Sequence, residues 1–203
     1  DATGGWEAGW KFKGSAKKCI KKGFGHTLEC PFWEEYLRNL STDVRMRVTE
    51  EVVKKFNSNG VPFKQIFLAG HSCGAWNAIR YAAFKKELFG GTIAFNPNCW
   101  PKEENNPVRQ YLVGELKTAK HANSLVFASP DDLTHDWKAT STDLAWIADI
   151  PGVKWFEYEK GVKVNGKQCK WNDGKKVKNG HLIVFAKCSW PHQKLVLEFI
   201  KES

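Results

Sequence analysis

The chain has 203 residues, 42% of them hydrophobic, which is enough for one domain with a full core. Lys and Arg number 31 against 22 Asp and Glu, giving a net charge of +9, but the lysines are scattered and no nucleic-acid-binding motif accompanies them. No apolar run approaches the length of a membrane span. We therefore expect a single domain over residues 1–203, whose Lys-rich surface is either simply solvated or attracted to acidic surfaces.

The cysteines and the start of the chain bear on the cellular compartment. The sequence begins at Asp1 and its only methionine is Met46, which is typical of a mature chain that has lost a signal segment. Six cysteines without Cys-x-x-Cys spacing favour disulfides and a secreted or periplasmic location over six free thiols in the cytoplasm. Fifteen pairings of six cysteines are possible, and we expect Cys19–Cys30, Cys169–Cys188 and Cys73–Cys99.

The first predicted elements are a strand and a helix. Residues 25–30 form a short predicted strand, which Pro31 ends. An amphipathic helical region follows and ends at residues 57–60. Its apolar residues recur every three or four positions, as expected of a helix that buries one face: Leu37, Leu40, Val44, Val48, Val52, Val53 and Phe56.

A Gly-x-Ser-x-Gly motif lies between the next strand and helix. Residues 66–69 are a continuous apolar run, as in a strand buried on both faces, and small apolar residues recur at helical spacing from Ala75 onward. In this context the motif predicts a nucleophile elbow with Ser72 at its apex. Gly70 and Gly74 are expected to remove Cβ atoms that would collide in the tight turn. The N–H of Cys73, at the start of the helix, is predicted to bind an oxyanion.

The rest of the chain alternates between strands and helices. Strands are predicted at residues 92–95, 124–128 and 153–159. Helices are predicted over residues 108–119, over residues 144–148 and after Pro191. In a Gly- and Lys-rich stretch over residues 160–180, the sequence Asn165-Gly166 predicts the tip of a hairpin. The alternation predicts an α/β fold, a mostly parallel sheet with helices on both faces.

Three residues that follow different strands are candidates for a catalytic triad. Carboxyl ends of parallel strands share one edge of a sheet, so Ser72, Asp132 and His181 can meet there. A serine needs a histidine to take its proton and a carboxylate to orient that histidine. Asp132 is favoured because the chain needs a short turn before a side chain can reach back. Asp131 and Asp136 remain alternatives, and either residue of the Asp131-Asp132 pair could instead cap a helix.

The histidine is chosen among six. His181 follows a turn at residues 179–180 that can place its ring over the sheet edge. His71 adjoins Ser72 but is expected to point elsewhere on the turn. The other four lie before the motif, before a strand or in polar turns: His26, His121, His135 and His192.

These motifs resemble those of the α/β-hydrolase superfamily. Gly-His-Ser-x-Gly at residues 70–74, the Asp-Asp after residues 125–130 and Asn-Gly-His at residues 179–181 carry the resemblance, and the lead-in to the motif resembles the dienelactone-hydrolase-like branch. The resemblance implies an α/β-hydrolase-like fold from about Gly23 onward, with the family's first strands missing. Residues 3–6 resemble its Gly-rich oxyanion loop, which would make Gly5 or Trp6 the second oxyanion donor.

The function expected from this resemblance is that of a serine hydrolase. Its substrate would be a carboxylic ester or thioester, and no metal or organic cofactor is implied. Acyl transfer to an alcohol or amine uses the same chemistry. A non-catalytic binding protein on a hydrolase fold is the alternative from another class.

Overall fold

The centre of the molecule is a parallel sheet of four strands. The structure, a computed structural model, describes residues 41–99, 107–132 and 141–203. The strands lie side by side in chain order: β1 (Phe67–His71), β2 (Gly91–Phe95), β3 (Ser124–Ala128) and β4 (Val153–Glu157). His71 pairs with Phe95, and Phe95 with Phe127, so the carboxyl ends of the strands share one edge. The predicted strand at residues 25–30 lies outside the described residues.

Helices connect and cover these strands. The α-helices are α1 (Ser41–Ser58), α2 (Cys73–Phe84), α3 (Pro107–Lys117) and α4 (Gln193–Glu202). Single turns or short runs of 3-10 helix lie at Phe63–Gln65, Lys86–Leu88, Ser141–Asp149, Gly180–Phe185 and Lys187–His192. A small hairpin, β5 (Lys163–Val164) and β6 (Lys167–Gln168), turns at Asn165 and Gly166, whose φ angles are 51° and 72°. The predicted hairpin tip is therefore confirmed.

The core has two parts, one on each face of the sheet. Successive strand residues point to opposite faces. Ala94 and Val126 accordingly belong to the cluster that packs against α2 and α3, whereas Ile93 and Leu125 belong to the cluster that packs against Phe199 of α4. Helices thus lie on both faces of a parallel sheet, as the alternating pattern predicts, and the architecture is that of an α/β-hydrolase-like fold.

Several predicted boundaries differ from those observed. Strand β1 extends through His71, which the sequence places in the turn, and the helix that follows the turn, α2, ends at Phe84. Residues 141–149 form a 3-10 rather than an α-helix. Strand β4 ends at Glu157, because Glu159 pairs instead with Lys163 at the start of the hairpin.

The buried face of α1 is not the predicted one. Val53 is 2% exposed and, with Met46 two turns earlier, packs into the core. Val53 belongs to the predicted apolar set, but four other members of that set stay 40–54% exposed: Val44, Val48, Val52 and Phe56. The helix is rotated relative to the prediction, since Val52 and Val53 are about 100° apart around a helix axis and only one of them can point at α2.

Candidate active site

The Ser72 turn joins β1 to α2 at the carboxyl edge of the sheet. Ser72 has φ 58° and ψ −127°, a backbone conformation that residues with a side chain rarely adopt. The chain before it must pass very close to the helix after it. A Cβ placed on Gly70 would lie 2.3 Å from the carbonyl carbon of Gly74. Gly70 is therefore required by its surroundings, as predicted.

Gly74 differs from Gly70 in this respect. A Cβ at Gly74 would meet no atom within 4 Å, apart from the chain neighbours and the backbone of its own helix. The expectation that both glycines avoid a collision is correct for Gly70 and wrong for Gly74, because the contact joins the Cβ position of the first to the backbone of the second.

The Ser72 hydroxyl lies against the loop that follows β2. It donates a hydrogen bond to the backbone carbonyl of Asn98 at 3.2 Å, and the backbone N–H of Ser72 donates to the carbonyl of Phe95 at 3.0 Å. The hydroxyl makes no hydrogen bond to His181 in this state. To be activated by that histidine, it would have to turn away from Asn98.

Cys73 begins α2, so its N–H lies in the first turn, where amides have no partner within the helix. Its side chain forms a disulfide with Cys99, which ties the start of the helix to the loop after β2. A second disulfide joins Cys169 to Cys188. Two of the three expected pairs are thus confirmed, and the third, at residues 19 and 30, lies outside the described residues. So does Trp6, the other expected oxyanion donor.

Asp132 and His181 lie together just beyond the sheet edge. Nδ1 of His181 is 2.6 Å from Oδ1 of Asp132, although the ring N–H and the carboxylate are not aligned as a hydrogen bond requires. The two residues are only 2% and 7% exposed. A buried carboxyl group needs a partner, and the His181 ring is the partner that lies within reach of Asp132.

Asp131 faces in another direction and has a different role. Its Oδ2 accepts hydrogen bonds from the backbone N–H groups of Gly161, at 2.6 Å, and Val162, at 3.0 Å. Both of these residues have positive φ angles, so the carboxylate stabilises the tight turn after β4. The other alternative, Asp136, lies outside the described residues.

The backbone around His181 is fastened at several points. The side-chain amide of Asn96 donates to the carbonyls of Gly180, at 3.1 Å, and His181, at 3.0 Å. Asn179 accepts a hydrogen bond from the N–H of His181 at 2.9 Å. In the sequence, Asn96 only follows a predicted strand. Its partners Gly180 and His181 are 84 and 85 positions further along the chain, so no local pattern predicts these contacts.

Gly180 allows the His181 segment to approach the turn after β3. Its N–H donates to the carbonyl of Asp131 at 2.7 Å. A Cβ on Gly180 would lie 2.0 Å from Oγ of Ser129 and 2.8 Å from the carbonyl carbon of Asp131. A larger residue at position 180 would push the His181 segment away from the turn at residues 129–131. The close approach of these two segments also sets the distance between Asp132 and His181.

His71 connects the two halves of the site. Its Nε2 lies 2.6 Å from the carbonyl oxygen of His181, and the two imidazole rings are 4.3 Å apart. Phe185 packs edge-on against the His71 ring at 5.0 Å. Burial lowers the pKa of His71, while the hydrogen bond to the His181 carbonyl opposes this shift. A neutral His71 that carries its proton on Nε2 donates to that carbonyl. It therefore points away from Ser72, as expected, but towards the candidate base.

The remaining histidines are not part of this site. His121 lies near Gly152, before the start of β4 and thus at the other end of the sheet, and His192 packs among aromatic side chains near α4. His26 and His135 lie outside the described residues. Within the part of the chain that the structure describes, no cluster of three or more His, Cys, Asp or Glu side chains could hold a metal ion. None of the helices in that part combines the length and hydrophobicity needed to cross a membrane.

Comparison with known proteins adds little to this geometry. No protein-family model and no curated protein matches the chain. A crystal structure of a variant of SOBER1 from Arabidopsis thaliana is similar to it, with 13% sequence identity and a TM-score of 0.46. The match covers 80% of this chain, which spans 64% of the length of that one. A likeness of this degree says nothing about chemistry, so the functional argument rests on the site itself.

Proposed function

We propose that this protein is a serine hydrolase that cleaves a carboxylic ester or thioester. The observation that carries the proposal is the strained backbone of Ser72, with its positive φ, at the same sheet edge as the buried Asp132–His181 pair. A strained backbone and buried ionisable side chains both lower the stability of a protein. Such features are found most often at active sites. The contact between His71 and the His181 carbonyl supports the proximity of the two parts.

In the proposed mechanism, Ser72 is the nucleophile and His181 the general base. Asp132, beside Nδ1, orients the imidazole and stabilises the charge that develops on it, which leaves Nε2 to take the Ser72 proton. Attack produces a tetrahedral oxyanion, to which the Cys73 N–H donates a hydrogen bond. Collapse releases the alcohol or thiol, protonated by His181. Water activated by the same histidine then releases the acid from the acyl-enzyme.

The observed state needs one rearrangement before this reaction. The Ser72 hydroxyl must exchange its 3.2 Å hydrogen bond with Asn98 for one to His181. A rotation of the side chain about χ1 changes the direction of Oγ without moving the backbone. Hydrogen bonds between catalytic groups are often long or misaligned before substrate binds, and the off-line Asp132–His181 contact is of the same kind.

Several finer points of the proposal rest on the sequence. Acyl transfer to an alcohol or amine would use the same residues, and the dienelactone-hydrolase-like branch is suggested only by the residues before the motif. Trp6 or Gly5 is proposed as the second oxyanion donor. The two disulfides are compatible with an oxidising environment, and we propose a secreted or periplasmic location on that basis.

A non-catalytic binding protein is the second candidate. The hydrogen bond from Ser72 to Asn98 favours it, because this bond leaves the hydroxyl away from His181. The net charge of +9 would suit attraction to an acidic polymer or surface. The two candidates differ in one measurable property, the reactivity of Ser72.

Labelling with a fluorophosphonate probe tests this property. The wild-type protein is expected to be labelled at Ser72, and Ser72→Ala is expected to lose the label. His181→Ala should be labelled at least about a hundredfold more slowly, since general-base catalysis commonly contributes that much. His121→Ala, at the other end of the sheet, is the matched control and should be labelled at the wild-type rate. Absence of labelling in a folded wild-type protein would overturn the hydrolase proposal in favour of the binding protein.

A further inference from the structure

A cavity of about 200 Å³ lies between α4 and the carboxyl ends of the strands. It is separate from the Ser72 turn and is formed on the sheet face that α4 covers. Its walls come from β2, from the residue that follows β4, from the 3-10 turns after His181 and from α4: Phe95, Tyr158, Val184, Ser189, His192 and Val196. Exposed Gln193 also borders the cavity, so this end opens to solvent.

Two polar atoms in the cavity wall lack a hydrogen-bond partner. Oη of Tyr158 and Nδ1 of His192 are both buried, and neither bonds to any of the described residues. The rings of these two residues pack edge to face, 5.1 Å apart, and Tyr158 is only 3% exposed. Leaving a buried polar group unpaired has a cost in free energy, because its hydrogen bonds to water are lost and not replaced. A ligand that reaches both groups would recover this free energy.

Ser189 does not supply the missing partner. Its hydroxyl donates to the backbone carbonyls of Val184, at 2.9 Å, and Ala186, at 2.8 Å. The hydroxyl proton is thus shared between carbonyls within its own turn. Oη of Tyr158 and Nδ1 of His192 are therefore the two buried polar atoms among the lining residues that are left without a partner, whereas the Gln193 side chain is exposed to solvent.

The surroundings of these groups disfavour charge. Burial raises the pKa of Tyr158 and lowers the pKa of His192, so both side chains are neutral near pH 7. Phe156 packs against both rings, with centroids 5.5 Å from Tyr158 and 4.5 Å from His192, and Phe127 stands behind them. An ion would be desolvated here without a counter-charge among the residues that line the cavity.

The cavity is larger than the space that a single water molecule fills. A water occupies about 30 Å³ of liquid, and an engineered apolar cavity of about 150 Å³ in another protein binds benzene. A volume near 200 Å³ therefore accommodates a molecule with one small ring or a short branched chain.

We propose that this cavity is a binding site for a small uncharged molecule that has an apolar, ring-sized body and one hydroxyl group, with Tyr158 and His192 holding the hydroxyl. The site is independent of the proposed hydrolase activity, because neither residue touches Ser72, Asp132 or His181 among the contacts of the described residues. A hydroxyl can donate to Nδ1 and accept from Oη at the same time, which matches the two unpaired atoms.

Titration of the full-length, isotope-labelled protein with phenol, followed by NMR, tests the proposal. Phenol is expected to cause saturable shifts of the His192 and Tyr158 ring signals. Toluene has the same ring but no hydroxyl and should bind at least about tenfold more weakly, and so should benzoate, which is charged. Tyr158→Phe removes only the hydroxyl and His192→Phe replaces the imidazole by a phenyl ring, so both keep an aromatic ring and lose the polar atom, and each should lose that preference for phenol over toluene.

Three results would overturn the proposal. The first is the absence of saturable phenol binding in the folded wild-type protein, as expected if the cavity holds ordered water only. The second is equal binding of phenol and toluene, which would make the cavity a purely apolar space. The third is an unchanged preference for phenol in both variants. Ser72→Ala should bind phenol like the wild-type protein, so failure of the hydrolase proposal would leave this result unaffected.

Discussion

Five consecutive residues build the Ser72 turn, whereas the segment that carries His181 depends on contacts from distant parts of the chain. In the turn, the close approach that matters is between Gly70 and Gly74, only four residues apart. His181 is instead held by Asn96 and by His71, which is 110 residues away. The turn that carries the proposed nucleophile is thus specified by local sequence, and the segment that carries the proposed base is specified by tertiary structure.

The two regions also differ in how a single substitution should affect them. Local strain in the Ser72 turn is held in place by α2 and β1, two regular elements that pack extensively together. The region around His181, residues 163–192, contains only a hairpin with two-residue strands, two runs of 3-10 helix and the Cys169–Cys188 disulfide. Little regular structure therefore resists its displacement. We expect changes at the turn to alter mainly folding stability and changes around His181 to alter mainly the rate of reaction.

The largest expected effect is that of Asp132→Asn. If the proposed triad operates, the amide cannot stabilise an imidazolium, so kcat should fall by roughly a thousandfold or more, as when the triad carboxylate is removed in known serine hydrolases. Asp131→Asn is the matched control. It should keep kcat within about tenfold and instead lower the free energy of unfolding by about 1–2 kcal/mol, because Asp131 holds the turn at Gly161 and Val162. Ester hydrolysis and urea unfolding of both variants separate the two aspartates. A larger kcat loss in Asp131→Asn would reverse their assigned roles.

The next largest effect is that of Gly70→Ala. Its Cβ would lie 2.3 Å from the Gly74 backbone, which cannot move without shifting the start of α2. We expect the free energy of unfolding to fall by about 3 kcal/mol or more. Gly74→Ala adds the same atom in open space and replaces a helical glycine, so its stability should stay within about 1 kcal/mol of the wild type. Urea unfolding measures both, and equal effects would show that the turn is less tight than the structure indicates.

Removal of the disulfides should distinguish the regions by activity rather than by stability. The separations are similar, 26 residues for Cys73–Cys99 and 19 for Cys169–Cys188, so each double Cys→Ser variant should lose about 3 kcal/mol of stability. Loss of the second disulfide releases the segment after His181, and we expect kcat to fall much further in that variant. Steady-state kinetics at a temperature where both variants are folded makes the comparison. Equal losses of kcat would contradict the difference between the two regions.

Much of the fold and part of the site could be predicted from the sequence, for physical reasons that the same comparison shows. An apolar run that forms a strand, a Gly-x-Ser-x-Gly turn and a small-residue helix are contiguous, so the position of Ser72 follows from local pattern, although β1 is half-exposed rather than buried on both faces as the run predicts. The rotation of α1 could not be predicted, since Val52 and Val53 are both apolar and only the packing decides which is buried. The sequence favours Asp132 over Asp131 only by the length of turn that a side chain needs to reach back, and the different partners of the two carboxylates are visible only in the structure.

The contributions of Asn96 and His71 to the site have no sequence signal at all. Asn96 reads as an ordinary strand end, and its hydrogen bonds to the His181 segment exist only once β2 and that segment are folded. His71 stands beside Ser72 in the sequence, yet its partner is a backbone carbonyl, which every residue possesses. Contacts to backbone atoms leave no trace in the identity of the partner residue, so such a contact can be found only in the structure.

The smallest expected effect concerns His71 and pH. Burial lowers the pKa of His71 in the folded state. Below about pH 6.5 the unfolded chain therefore binds a proton at this residue more readily than the folded protein does. As a result, the free energy of unfolding falls as the pH falls. The neighbouring His181 ring acts in the same direction as burial, and Asp132 opposes both. His71→Gln has no imidazole to titrate but can still donate to the His181 carbonyl. It should therefore flatten the decline in stability between about pH 7.5 and about pH 5.5 while keeping most of kcat.

His192→Phe is the control for this experiment, because burial also lowers the pKa of His192 and its loss should flatten the same decline. The two variants are expected to differ in a second readout. His71→Gln, beside the candidate base, should shift the acidic limb of the pH profile of kcat/KM, whereas His192→Phe, which packs among Phe127, Phe156 and Tyr158, should leave it in place. If neither variant moves that limb, His71 supports the His181 segment without any electrostatic effect on the base.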